Sequence, residues 1–95
     1  IEGAVAGGVF RRPGIGVAVP AADGPALLAV RPEALDLAPG EGARVHRVTD
    51  FGSHAIVDLD LADGLRLKAQ AADARAWRAG QPVAPAPRAF ALYRD

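Results

Sequence analysis

The chain has 95 residues, a formal net charge of zero and no cysteine. That is one domain's worth of sequence. At 51% apolar residues it is too hydrophobic for disorder; it lacks the basic excess of a dedicated nucleic-acid binder, and it cannot form a disulfide framework or a Cys-ligated metal site. The longest run without a charged residue, Pro13 to Ala22, is ten residues, half of the roughly 20 apolar residues a membrane-spanning helix needs. No secretory signal pattern stands at the start, and a first residue of Ile1 rather than Met is expected of a piece of a longer protein. Alanine supplies 22 residues and arginine outnumbers lysine ten to one; both fit a GC-rich coding bias and carry no chemistry.

Eleven Gly and eight Pro cut the chain into short segments. With no long 3.6-residue apolar repeat, this punctuation points to an all-β barrel or sandwich. Gly3 to Phe10 is apolar and glycine-rich, Arg11-Arg12-Pro13-Gly14 reads as a turn, and Ile15 to Val19 as a strand. Ala22-Asp23-Gly24 is a second turn. Ala26 to Arg31 is a further strand, ended by Pro32, which lacks an amide donor. Arg44 to Phe51 is a strand with a bulge, because Val45 and Val48 break strict alternation. Gly52-Ser53 then connects tightly to a strand beginning near His54.

The clearest signal is at 57 to 69. Val57, Leu59 and Leu61 alternate with Asp58 and Asp60; Leu65, Leu67 and Ala69 alternate with Arg66 and Lys68. A three-residue loop with Gly64 in the left-handed conformation sets Leu59 opposite Leu67, Asp60 opposite Arg66 and Asp58 opposite Lys68. Hydrophobic pattern and charge pairing select the same register. Asp73 to Gly80 is the one helix candidate, with Asp73 as cap, Gly80 as stop and Trp77 as the group to pack. Val83, among Pro82, Pro85 and Pro87, suggests an edge strand. Phe90 and Leu92 form the apolar face of a last strand, with Tyr93 on the other side.

Catalytic chemistry finds few candidates. Lys68, the single lysine, stands between Leu67 and Ala69, so a phosphate-binding P-loop is absent. Gly14-Ile15-Gly16 begins a dinucleotide fingerprint but lacks its third glycine and the helix. Ser53 precedes His54, yet adjacent strand residues point to opposite faces, so Ser53 is read as a turn residue. His46 and His54 are read as exposed strand histidines that do not converge on a metal. Arg11 and Arg12 are read as a solvated turn rather than an anion site, and Trp77 as core.

Three stretches together carry a resemblance. They are Leu28 to Leu35 with its Val-Arg-Pro-Glu element, Gly42 to Ala69 with Asp50-Phe51-Gly52 and the Asp63-Gly64 hairpin, and Gly80-Gln81-Pro82-Val83 with the tail to Tyr93. In this order and spacing the chain resembles the C-terminal TOBE (transport-associated OB) domain of ABC importer ATP-binding subunits of the polyamine, iron and sugar types. The resemblance covers about 27 to 92, with 1 to 19 as junction strands. It implies one small OB-fold-like β-barrel with at most one short helix.

By the same resemblance the domain is regulatory and helps two ATP-binding subunits pair. It is not itself an enzyme, and ATP and Mg belong to the ATPase domain of the parent. The implied partners are that ATPase domain, a second copy of the subunit, the transmembrane permease subunits and a small-molecule effector, with no nucleic acid. The implied location is cytoplasmic, on the inner face of a bacterial membrane. Arg31, Pro32, Glu33, Gly52, Asp63, Gly64 and Gly80 match the family motif, and the Arg31-Pro32-Glu33 element is read as a structural corner before a ligand contact. Gln81 replaces the acidic residue usual after the late glycine. The alternative is a free-standing module for a small oxyanion such as molybdate, with Arg11, Arg12 or Arg31 as donors.

Overall fold

The computed structural model describes residues 1–94. Among the described residues nine strands form two antiparallel sheets, giving the all-β, barrel-like architecture expected. The first sheet contains β1 (Glu2–Ala6), β2 (Val9–Arg12), β3 (Ile15–Ala18), β4 (Gly24–Ala29) and β9 (Ala91–Tyr93), in the order β3-β2-β1-β4-β9. The second contains β5 (Leu35–Asp50), β6 (Ala55–Leu61), β7 (Arg66–Ala71) and β8 (Pro82–Pro87), in the order β7-β6-β5-β8. The glycine-rich start is a hairpin rather than one strand: Gly7 and Gly8 both sit at positive φ and turn β1 into β2. Residues 1 to 19 thus supply three strands of the five-stranded sheet.

Strand β5 is the longest element, and its first half does not read as a strand in the sequence. Pro39, Gly40 and Gly42 look like breaks, yet the chain continues through them. Pro39 and Ala43 both stand opposite Val83, so Gly40, Glu41 and Gly42 form an irregularity in the ladder. Residues 35 to 39 pair only with β8, so no second ladder needs the donor that Pro39 lacks. A second register shift lies between Val45 and Arg47, where the 45/48 spacing signals a bulge. Strand β8 is an edge, as its three prolines predict.

The β6–β7 hairpin has the expected register: Leu59 faces Leu67, Asp60 faces Arg66 and Asp58 faces Lys68. Gly64 sits at φ +90°, and its amide donates to the Leu61 carbonyl at 2.9 Å. The inward side of β6 is closed by Val57, Leu59 and Leu61, which join Ile15, Leu35, Val45 and Val83 in the larger core. Val5, Phe10, Val19, Ala26 and Leu28 make a smaller core under the first sheet; Ile1 and Val30 pack against both.

The helix candidate at 73 to 80 is shorter than expected. Only Ala74–Ala76 form a single 3-10 turn, and Trp77 is already extended at φ −130°, ψ 146°. Too few residues were available to offset helix nucleation. Asp73 does cap the turn, accepting from the Arg75 amide at 2.9 Å, and Trp77 packs on the core. A second 3-10 turn, Pro32–Ala34, forms where Pro32 ends the preceding strand.

Candidate functional site

The motif residues fall into separate turns. Arg31, Pro32 and Glu33 form the corner between β4 and β5, where Pro32 opens the 3-10 turn with its preset φ. Gly52, at φ +88°, lies in the β5–β6 turn and its amide donates to Asp50 Oδ1 at 2.8 Å. Asp63 and Gly64 lie at the opposite end of β6; Asp63 Oδ1 accepts from the Leu65 amide at 3.3 Å. Gly80, at φ +85°, donates to the Val45 carbonyl and its own carbonyl accepts from Arg44 Nη1. With a seven-residue strand between Gly52 and Gly64, about 20 Å at 3.3 Å per residue, these residues do not converge on one centre. Each holds a bend.

The corner is pinned by a residue with no local signal. Arg88 donates through Nη2 to the Glu33 carbonyl at 2.6 Å and through Nε to Asp36 Oδ1 at 3.2 Å; its amide donates to the Ala34 carbonyl at 2.8 Å. The cation beside Glu33 therefore takes its backbone oxygen, and the carboxylate in the pair is Asp36. Arg31 is exposed and lines a groove of about 460 Å³ with Val30, Ala34, Phe90, Ala91 and Tyr93. This size suits a small ligand.

Arg12 is not solvated. Its side chain is 7% exposed and pairs with Asp63. Arg11 is exposed. Ser53 and His54 lie in the loop, not in a strand, so alternation does not separate them: Ser53 Oγ is 3.0 Å from His54 Nδ1. His54 also stacks on Phe51, ring centres 5.4 Å apart. His46 instead points its Nδ1 to Asp60 Oδ2 at 3.4 Å. Among the described residues no group of three or more metal-ligating side chains converges.

The outward side of the second sheet is a ladder of charges. Asp58 accepts from Lys68 Nζ at 2.9 Å and from Arg47 Nε at 3.3 Å, while Asp60 accepts from Arg66 Nε at 2.8 Å. Asp58 points outward yet is only 3% exposed. The hydrogen bond from Lys68 is the main force holding its carboxyl below the ordinary aspartate range, with Arg47 adding to it against the cost of burial. The hydrogen bond from Arg66 acts likewise on Asp60, and Asp60 in turn raises Arg66. The sequence shows the pairing but not the burial of Asp58, because the bulge that brings Arg47 over it shifts β5 by one residue.

No helix among the described residues is long and apolar enough to cross a membrane. No curated protein matches the chain. The family model for the TOBE domain matches residues 28–90, inside the 27 to 92 expected from the motifs. The match takes in the whole second sheet and the Arg31-Pro32-Glu33 corner; β1, β2, β3 and β9 lie outside it. Since it spans more than half of the chain, the protein belongs to the TOBE domain family, a family of non-catalytic binding domains.

Proposed function

We propose that this chain is the C-terminal accessory domain of the ATP-binding subunit of an ABC-type solute importer, where it helps two subunits pair and regulates ATP-driven transport. The observation that carries this reading is the TOBE match over 28–90, laid on a strand order that builds every motif residue into a corner. Corners of this kind give a rigid surface for contacts and no reactive centre. In this reading the partners are an ATPase domain of the same polypeptide, a second subunit and the permease. The domain then works at the cytoplasmic face of the membrane, with ATP and Mg handled elsewhere in the subunit.

The deciding experiment is to read the coding sequence around this segment. A P-loop and an ABC signature motif upstream in the same frame are expected; an intact reading frame without them would overturn the proposal. The isolated chain is expected to release no phosphate from ATP, since its single lysine lies in a strand and not in a P-loop. Isothermal titration with molybdate and sulfate tests the oxyanion alternative. Of the three arginines available to that reading, Arg12 is already spent on Asp63, and micromolar binding would favour the alternative all the same.

A further inference from the structure

Eight of the eleven cationic side chains donate to a carboxylate or a backbone carbonyl. Among the described residues the other three, Arg11, Arg31 and Arg78, have no such partner. Of these, Arg31 alone lines a groove. Three grooves on the described surface carry carboxylates: Glu2 in one, Glu41 and Asp60 in another, Asp36 and Asp73 in the third. The groove of about 460 Å³ at the β4–β5 corner holds Arg31 and no carboxylate, and the rest of its lining is Val30, Phe90, Tyr93 and alanines. Arg31 starts from a fixed point. It is extended, at φ −79°, ψ 150°, as the following Pro32 favours; its carbonyl accepts from the Ala34 amide at 2.9 Å, and Arg88 pins the same corner. Ala29 and Ala91 face each other across β4 and β9 and leave the floor without bulk. Tyr93 shares the side of Ala91 by strand alternation and is 59% exposed. Phe90, anchored on the smaller core, completes the lining. No strand lies beyond β9, so the groove is open from that side.

We propose that this groove binds a small organic monocarboxylate, its carboxylate held by the Arg31 guanidinium and its apolar body lying over Ala29 and Ala91 against Tyr93. Charge sets the sign of the ligand: a guanidinium in a groove without carboxylates attracts an anion. The number of cations sets its charge. Arg88, the other arginine at the corner, is turned to Glu33 and Asp36, so one guanidinium meets one negative charge. Its planar fork fits a carboxylate with two parallel hydrogen bonds. The lining sets the rest of the molecule. An inorganic oxyanion would leave the apolar walls uncovered, whereas an aromatic or branched aliphatic body takes them out of water. The alanines supply the room, since a larger side chain at 29 or 91 would stand where that body lies.

The site gives the regulation proposed above a ligand class, and its regulatory meaning rests on that reading: the carboxylate is then an effector of transport. Arg31, Ala34 and Phe90 lie inside the matched TOBE segment, while Ala91 and Tyr93 lie beyond it on β9. The cation and its corner therefore belong to the matched segment, and the surface that selects the apolar body belongs to the last strand of this chain. Because the groove is open to water, affinity is modest, on the order of 0.1–1 mM for a ligand of about ten non-hydrogen atoms.

Titration of the isotope-labelled 95-residue chain with 3-phenylpropionate, followed by backbone amide chemical shifts, reads affinity and place together. Saturable shifts confined to residues 29–34 and 89–93 are expected. The uncharged 3-phenylpropionamide and acetate, which lacks the apolar body, should each bind about tenfold or more weakly. Arg31→Gln is expected to weaken 3-phenylpropionate about tenfold or more. Ala91→Leu, which fills the floor, is expected to abolish binding. Arg11→Gln, which removes another unpartnered arginine away from the groove, is expected to leave it unchanged. All three positions are exposed, and matching thermal melts check that each variant is folded. No saturable shift up to about 10 mM, equal binding of the amide, or an Arg31→Gln variant that binds like the parent overturns the proposal. Molybdate or sulfate binding at these residues more tightly than 3-phenylpropionate would hand the groove to an inorganic oxyanion and overturn it as well. A silent groove together with an ATPase segment upstream would remove this site and leave the proposed function standing; binding without that segment would do the reverse.

Discussion

Arg12 and Asp63, 51 residues apart, form an ion pair that ties the last residue of β2 to the β6–β7 turn, and so one sheet to the other. The guanidinium is almost fully covered while the carboxylate is 41% exposed. Beside it the β2–β3 turn presses on the irregular stretch of β5: a methyl group added at Gly14 would lie 2.5 Å from the Gly42 carbonyl oxygen. The pair and the backbone contact together set how the two sheets meet.

Arg12→Ala is expected to lower unfolding free energy by about 1–2 kcal/mol, from the lost pair and the lost packing of its covered alkyl stem. Asp63→Asn keeps the acceptor for the Leu65 amide and should cost less. In urea denaturation, the double mutant should show a coupling of about 0.5–1.5 kcal/mol, shrinking as salt is added. Strict additivity would show that the pair does not join the sheets.

Gly64→Val should destabilise the domain by more than about 1 kcal/mol, because a β-branched residue is strained at φ +90°. Open space surrounds the position, so the cost is conformational and not steric crowding. Gly64→Asn, which tolerates the left-handed region, should cost distinctly less. Equal melting of the valine variant and the parent would mean that the loop is built differently in solution.

What the sequence discloses follows from the range of the interactions. The β6–β7 register is legible because apolar alternation, opposite charges and a glycine at the loop all lie within 13 residues. The bulge in β5 is legible from Val45 and Val48 for the same reason. The two halves of β5 are not, because Pro39 and Gly40 look like breaks until β8 is placed beside them, more than forty residues on. The distant partners of Arg88 and Arg12 escape notice alike: the acceptors that tie Arg88 to the corner and Arg12 to the second sheet lie 52 or more and 51 residues away, with no local spacing to announce them. Of the motif glycines, Gly64 shows its positive φ already in the length of the hairpin loop, whereas the positive φ of Gly52 and Gly80 appears only in the folded chain.

Acid should weaken the fold through the charge ladder. Asp58 and Asp60 are both held below the ordinary carboxyl value of 3.8 when folded, chiefly by hydrogen bonds from Lys68 and Arg66. The unfolded chain therefore takes up protons before the folded one as pH falls through about 4, so the stability these pairs supply is complete at neutral pH and is lost on acidification. Asp58→Asn should flatten that part of the profile. It should also lower stability at pH 7 by about 1–2 kcal/mol, since the covered site keeps a hydrogen-bond acceptor but loses its charge. Guanidinium melts between pH 3 and 7 read both effects. An unchanged acid limb in the variant would remove Asp58 from the account.

Arg88 offers the sharpest test of the corner. Its three contacts hold Pro32–Ala34 from the far end of β8, joining the Glu33 and Ala34 carbonyls to the Asp36 carboxylate. Two of these come from the guanidinium and one from the amide, so Arg88→Ala removes the first two and keeps the third. Because the side chain is 60% exposed, water replaces part of what is lost, and a cost of about 0.5–1.5 kcal/mol is expected. Arg88→Lys supplies one cation without the fork and should recover only part of it. Amide hydrogen exchange separates a local from a global effect. Leu35, whose amide donates back to Pro32, should lose protection in Arg88→Ala, while Val57 and Leu59 in the core of β6 keep theirs. Equal loss at all three would mean that Arg88 supports the whole fold, and no loss at Leu35 would mean that the corner stands without it.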